Sequence, residues 1–449
     1  MIEQYHIHNL HLEGLERFEN NDPQLARLKD LKFRHPMDWW CGIDWNSPGI
    51  FILTGGRQIG KTTSTKLLML DRLKKGVFAP EAIFYLPCDE LADREHLSRV
   101  VRSFLEGLKS GSGFLLIIDE VTFVREWART VKALADEGWF KTGFCVITGS
   151  DSDLLKEAMN SFPGRRGGAA KGDFHLSPLD FPEYLNLVAG SPAGAPGPEI
   201  ESLYAHFSQF LACGGYLKAI NDLHMFGEVR ASTYATFEQW IRGDFLKRGK
   251  SERTLLELLQ TLLETGSSQV SYSRLTERTG TVTKETVIDY CGLLERMDLI
   301  FELESWDQNK KRGSPKKARK FHFSDPFIRR TVTGWLARES MIGPAIDEGA
   351  SVESCVAAQY RRFAPAYYLK ADSEIDLLLL LEGGAAAIEV KWTDRIRHAD
   401  LRQLKKMDRA VILSKTRQSG FVEGIKIHPL PAFLASTPET ASLSSEFTP

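Results

Sequence analysis

From position 50 onward, short apolar runs alternate with amphipathic stretches of helical length. The runs 50–54, 83–86, 114–119 and 144–148 are apolar along their length, and 173–176 is a weaker fifth. A strand buried on both faces reads as a continuous apolar run, so these predict a parallel sheet covered by helices. A Gly-, Pro- and Ala-rich stretch at 189–198 has no periodicity and predicts an exposed linker. Residues 200–247 read as helical with a break at Gly214-Gly215. In 251–305 the pattern predicts three helices and a strand. Leu255, Leu256, Leu258, Leu259, Leu262 and Leu263 mark the first helix and 272–278 is the second. Val287, Tyr290, Leu293, Leu294 and Met297 mark the third, with Thr283 as its N-cap. Segments 301–306 and 319–324 pair across the basic loop between them. Helix, short helix, helix, hairpin is the winged variant of the helix-turn-helix. The last block predicts a helix at 350–363, strands at 366–369, 374–381 and 386–391, a helix at 400–407 and a strand at 409–413. The domain reading is 1–48 an N-terminal segment, 49–198 a sheet core, 199–249 a helical lid, 250–335 a winged helix, 345–434 an α/β end domain, and 435–449 a disordered tail.

Composition narrows the classes. A chain of 449 residues exceeds one ordinary core. With 43% hydrophobic and 26% charged residues it is globular. A formal net charge of -2 excludes a wholly basic nucleic-acid coat but not a local basic patch. No apolar run approaches the ~20 residues a membrane span needs, and the first residues show no basic or apolar signal region. Cys41, Cys88, Cys145, Cys213, Cys291 and Cys355 are scattered and form no CxxC, so they read as reduced thiols of a cytoplasmic protein. His6, His8 and His11 read as an exposed face rather than a metal site.

The chemistry begins where the first apolar run ends. Gly55, Gly56, Arg57, Gln58, Ile59, Gly60, Lys61 and Thr62 satisfy G-x-x-x-x-G-K-[ST], between a strand and an amphipathic helix that opens with Thr63. The glycines let backbone N–H groups turn inward on a phosphate, and the helix adds the positive end of its dipole. Lys61 offers a point charge to the β- and γ-phosphates of ATP, and Thr62 a hydroxyl to Mg2+. The third run ends in Asp119-Glu120, which places Asp119 at the carboxyl edge of the sheet to hold the metal's water shell, with Glu120 polarising the attacking water. Ser150, after the fourth run, is a candidate γ-phosphate sensor. Arg165 and Arg166, in a Pro-Gly-Arg-Arg-Gly turn, are candidates to reach a neighbouring subunit's γ-phosphate, which would make the active form an ATP-dependent homo-oligomer.

The Walker A loop, the Leu115–Glu120 stretch, Thr148-Gly149-Ser150, the Pro163-Gly164-Arg165-Arg166-Gly167 turn and Ser177-Pro178-Leu179-Asp180-Phe181 together resemble predicted bacterial and archaeal AAA+-superfamily ATPases. Those carry a C-terminal domain related to restriction-endonuclease folds. Gly214-Gly215-Tyr216 and Lys320-Phe321-His322-Phe323-Ser324-Asp325 extend the resemblance over about 22–434. It implies a multidomain α/β chain: a P-loop AAA+-type parallel sheet core, a helical lid, a winged helix and a restriction-endonuclease-like domain. The family usually has Pro where Lys218 stands here, a departure that bears on a turn.

Near the end, Glu389 and Lys391 share one face of a strand, because strand side chains repeat every two residues. Asp376 lies on the neighbouring strand, and Glu353 on a preceding helix. This arrangement resembles the PD-(D/E)XK nuclease core. The resemblance implies that Glu353, Asp376 and Glu389 hold Mg2+ or Mn2+ and that Lys391 helps activate water. Lys310, Lys311, Arg312, Lys316, Lys317 and Arg319 form the densest positive stretch, where a wing would meet DNA. The leading expectation is a Mg2+-dependent ATPase of the AAA+ type that binds and remodels DNA, with a metal-dependent nuclease at its end. The alternative is a nucleotide-dependent switch, or a scaffold whose nuclease-like domain serves binding only.

Overall fold

Strands β1 (Gly49–Gly55), β2 (Ile83–Pro87), β3 (Phe114–Asp119), β4 (Gly143–Thr148) and β5 (Asp173–Leu176) form one sheet in the order β2-β3-β4-β1-β5. Every pairing is parallel. Strands β1 to β4 are buried along their whole length, which requires cover on both faces. Each fully buried Ile, Leu or Phe there contributes roughly 1.5–3 kcal/mol relative to exposure. The strand first in sequence lies between the last two, so β4 separates β1 from β3.

This architecture comes from a computed structural model that describes residues 2–109, 111–149, 155, 172–190, 199–280, 283–339, 341, 347–371, 373–393, 396 and 401–436. Ser150, Arg165, Arg166, most of the 189–198 linker and the 437–449 tail lie outside the described residues. The chain divides into two compact units, Met1–Ser177 and Pro178–Pro449.

In the first unit the N-terminal segment packs beside edge strand β2. Asn9 Nδ2 donates to Tyr85 O at 2.9 Å, and Tyr85 N donates to Asn9 Oδ1 at 2.8 Å, so one side chain imitates a neighbouring strand. His11 is buried rather than exposed, with Nε2 at 3.0 Å from Ile83 O. Burial lowers its pKa to about 4. His6 and His8 instead lie near Glu13 and Glu90. All six cysteines are free thiols, and only Cys41 is exposed. Among the described residues no helix is long and apolar enough to cross a membrane.

The second unit begins with helices Phe181–Ala189, Ile200–Cys213, Leu217–Phe226 and Ala231–Lys247. Helices Glu252–Thr265, Tyr272–Arg278 and Lys284–Arg296 follow, with the two-residue strand β6 (Gln269–Val270) between the first two. Thr283 caps the last of them by accepting from Thr286 N. Strands β7 (Ile300–Asp307) and β8 (Arg312–Phe323) then pair antiparallel, with an irregularity after Glu304. Helices Pro326–Arg338 and Glu348–Tyr360 lead to β9 (Ala366–Lys370), β10 (Glu374–Leu381), β11 (Gly384–Lys391), β12 (Ala410–Ser414), β13 (Gly420–Val422) and β14 (Ile425–Pro429). All join one mixed sheet, β13-β14-β12-β11-β10-β9-β7-β8-β6, in which β7 meets β9 through the pair Ser305↔Tyr368. The described part of the expected 400–407 helix is a 3-10 turn, Leu404–Lys406. Leu401 and Leu404 are both fully buried, and a spacing of three serves a 3-10 turn as well as a helix.

The motifs between the helices are packing devices. Leu179 N donates to Gly215 O at 3.0 Å, and a Cβ on Gly215 would come within 2.0 Å of Leu179 O. The buried carboxylate of Asp325 accepts from Gly215 N and from Phe327 N, both at 2.8 Å. Lys218 is the exposed second residue of helix Leu217–Phe226, a first-turn position that Pro also tolerates.

Candidate functional site

The site of the first unit is assembled at the carboxyl ends of β1, β3 and β4. After β1 the chain must curl. Gly55 has φ 147°, and a Cβ there would meet Leu176 O at 2.5 Å. Gln58 and Gly60 also take positive φ, 61° and 103°. Gly60 precedes helix Lys61–Lys74 and has no side chain to cap it, so the first N–H groups remain available to an anion. Lys61 is buried, and its Nζ donates to Gly55 O at 2.9 Å and Gly56 O at 3.2 Å. The same ammonium is 3.4 Å from Glu120 Oε1. Ile59 is buried, Gln58 is exposed, and Arg57 is half-buried. Thr63 turns to the N-terminal segment, donating to Gln24 Oε1 at 3.3 Å.

Thr62 Oγ1 donates to Asp119 Oδ2 at 2.8 Å. This joins the helix after β1 to the end of β3 across the intervening strand. The Tyr85 hydroxyl donates to the same carboxylate oxygen, and Thr148 Oγ1 donates to Oδ1. Thr148 Oγ1 also accepts from Glu120 N at 2.9 Å. Glu120 adopts a left-handed conformation, φ 51°, which turns its side chain out of the strand. Tyr85 and Thr148 are functional neighbours that the motif reading missed. Their signal was positional: each lies near the carboxyl end of a strand flanking β3, and Asp119 and Thr148 each directly follow the paired residues Ile118 and Ile147.

Behind this layer sits Lys66, one helical turn after Thr62 and almost fully buried. Its Nζ is 3.2 Å from Asp22 Oδ2 and 3.6 Å from the centre of the Tyr85 ring. Burial lowers the Lys66 pKa, opposed by the Asp22 charge. The N-terminal segment thus supports the tyrosine that holds Asp119. The donor set fits Mg2+–ATP: the N–H groups of a helix start and an ammonium for phosphate oxygens, and a hydroxyl beside a carboxylate for a hard cation.

The carboxylates of the second unit also converge, but on an ammonium. Lys320 Nζ is 2.9 Å from Glu353 Oε1, 2.6 Å from Glu374 Oε1 and 2.9 Å from Asp376 Oδ1. Lys391 Nζ is 2.6 Å from Glu389 Oε1. Burial and the Asp376 charge push Glu353 up to about 8. Glu389 is pushed up to about 8 by the same two causes. Burial opposes ionisation of Asp376 too, but Lys320 and Lys391 outweigh it and lower its pKa. Among the described residues no group of three His, Cys, Asp or Glu side chains is placed to hold a metal ion. The Lys320 ammonium stands between two of the carboxyl groups, Glu353 and Asp376, that the nuclease-like resemblance gives to a metal.

On the β7–β8 hairpin, Lys310, Lys311, Arg312, Lys316 and Lys317 are exposed. Arg319 is not. Its Nε is 2.7 Å from Glu302 Oε2, and its guanidinium lies 4.7 Å from the Tyr272 ring centre.

Residues 47–185 match the family described as an AAA domain. Residues 204–339 and 348–433 match two domains of unknown function (DUF8612 and DUF4143). No curated protein matches the chain in sequence. Among solved structures, the Walker-type ATPase paby2304 of Pyrococcus abyssi is similar at 14% identity, covering 63% of this chain and 90% of its own, with a TM-score of 0.43. The Aeropyrum pernix ORC1 protein, solved in complex with DNA, is similar at 14% identity over 70% of this chain and 93% of its own, with a TM-score of 0.32. Thermotoga maritima RuvB is similar at 14% identity over 66% of this chain and 88% of its own, with a TM-score of 0.30. The five-stranded parallel core with its helices is a P-loop AAA+-type ATPase fold, and the mixed sheet and further helices make the chain a multidomain α/β protein.

Proposed function

We propose that the chain is a Mg2+-dependent ATPase of the AAA+ type that binds and remodels DNA. The observation that carries the reading is the meeting of Lys61, Thr62, Asp119 and Glu120 at one edge of a parallel sheet, with Thr62 and Asp119 in contact at 2.8 Å. Lys61 exchanges its loop carbonyls for phosphate oxygens. That movement takes the ammonium away from Glu120, whose carboxylate then accepts the proton of the attacking water. Thr62 and Asp119 would hold Mg2+, and what the bound metal supplies is neutralisation of charge on the phosphates. Ser150 as γ-phosphate sensor, and Arg165 or Arg166 acting on a neighbouring subunit, complete the proposal from sequence. An ATP-dependent homo-oligomer follows from the arginine role, and the free thiols support a cytoplasmic location.

DNA enters through the winged-helix reading of 250–335. The order of helices and hairpin supports it, and so do five exposed cations on that hairpin, Lys310, Lys311, Arg312, Lys316 and Lys317. Such a surface contacts backbone phosphates and confers salt-dependent affinity without base readout. A scaffold reading of the end domain is favoured over cleavage by Asp376, Glu389 and Lys391, because an ammonium fills the space between the carboxylates.

The deciding experiment measures ATPase rate with single-stranded, duplex and branched DNA. A rate raised by one of these supports coupled remodelling. A slow rate indifferent to all of them would support a nucleotide switch instead.

A further inference from the structure

The acidic cluster of the second unit is built for a cation and already contains one. Lys320 leaves β8 with its side chain 1% exposed. An ammonium has three N–H donors, and this one meets three carboxylates. Glu353 comes from helix Glu348–Tyr360, while Glu374 and Asp376 come from β10, where alternate residues share a face. The second oxygens of the β10 pair are engaged as well. Asp376 Oδ2 accepts from Val390 N at 3.0 Å, and Glu374 Oε2 accepts from Gln269 Nε2. Glu389 is drawn to Lys391, and its Oε2 is buried with no hydrogen-bond partner among the described residues.

A Mg2+ ion takes oxygens at roughly 2.0–2.1 Å in octahedral array. The three oxygens around Lys320 Nζ stand at 2.6–2.9 Å, the range of an ammonium's hydrogen bonds. To enter, a metal would have to displace a buried ammonium from its contacts with three carboxyl groups. We propose that the Lys320 ammonium takes the place of the divalent cation in this nuclease-like cluster, so that the end domain excludes metal and acts as a scaffold. An ammonium gives one positive charge where a metal gives two. It has no coordination position for water, so it generates no hydroxide nucleophile. It does have a structural role. Strands β7 and β9 meet through the pair Ser305↔Tyr368, and the ion pairs of Lys320 tie the β7–β8 hairpin to helix Glu348–Tyr360 and to β10. The inference is independent of the ATPase reading, which concerns the other unit.

The test is Mn2+ binding to the full-length chain without nucleotide, followed by electron paramagnetic resonance. Every sample carries Asp119→Ala, so that the P-loop site contributes nothing. With Lys320 in place, no Mn2+ binding that depends on Asp376 is expected. Lys320→Ala should gain a Mn2+ site, and adding Asp376→Ala should abolish it. Lys320→Ala should also melt at lower temperature in EDTA and recover in Mn2+. Asp376-dependent Mn2+ binding with Lys320 present would overturn the proposal. So would a folded Lys320→Ala chain that binds no Mn2+, or one that stays unfolded at every Mn2+ concentration.

Discussion

Thr148→Val keeps the size and branching of the side chain and deletes one oxygen. That oxygen donates to Asp119 Oδ1 and accepts from Glu120 N at 2.9 Å. A hydrogen bond to a charged group is worth about 1.5–3 kcal/mol. At ~1.4 kcal/mol per decade, losing it from the metal-holding carboxylate lowers kcat roughly 10- to 100-fold. The Glu120 N–H loses its acceptor at the same time, at a residue held with φ 51°. The backbone that aims the proposed base therefore loosens as well. Nucleotide affinity in EDTA should change by less than about threefold, because Lys61 and the loop N–H groups are not held by Thr148. The assay is phosphate release across a Mg2+ titration, paired with nucleotide binding in EDTA. A kcat within about twofold of wild type would refute the reasoning. So would an affinity loss in EDTA as large as the loss of rate.

Gly215→Ala would place a Cβ within 2.0 Å of Leu179 O, a backbone atom, so the second unit should lose about 1–3 kcal/mol of stability, read from its urea midpoint. An unchanged midpoint would remove the close-packing account of the Gly-Gly motif. Glu389, pushed up to about 8, keeps its proton in the folded state where the unfolded chain has lost it. Its contribution is therefore full below the unfolded value and fades as pH rises through 8. Stability should therefore fall as pH rises from 6 to 8, and Glu389→Gln should make that slope shallower, Glu353 keeping its own share. A slope identical to that of wild type assigns the titration elsewhere. Replacing Lys310, Lys311, Lys316 and Lys317 with Ala should weaken binding to every DNA sequence and flatten the dependence of log K on log salt. An unchanged salt slope would return these lysines to solvent.

The nucleotide site was legible because its chemistry is local. Lys61 and Thr62 are adjacent, and Asp119 and Glu120 end a run apolar enough to be read as a buried strand. Tyr85 and Thr148 were not legible, because their importance comes from the lateral order of strands, and a strand's own apolar pattern does not state its neighbours. Lys320 shows the same limit. In sequence it closes the basic run. Strand alternation then sends it inward with His322, while Arg319 turns to Glu302 on the other face. Counting charge along the chain merges Arg319 and Lys320, whose environments one residue of register separates. The hairpin of β13 and β14 escaped notice because β13 has three residues and Phe421 within it is exposed.

If Lys61, Thr62, Asp119 and Glu120 form an ATP-hydrolysing site, Glu120 is its base. The most direct measurement is phosphate release from ATP by wild type and Glu120→Gln at matched bound nucleotide, with Lys61→Ala as the non-binding control. Wild type should turn over steadily, Glu120→Gln should hold bound but unhydrolysed ATP, and Lys61→Ala should retain none. Equal rates for wild type and Glu120→Gln would contradict it.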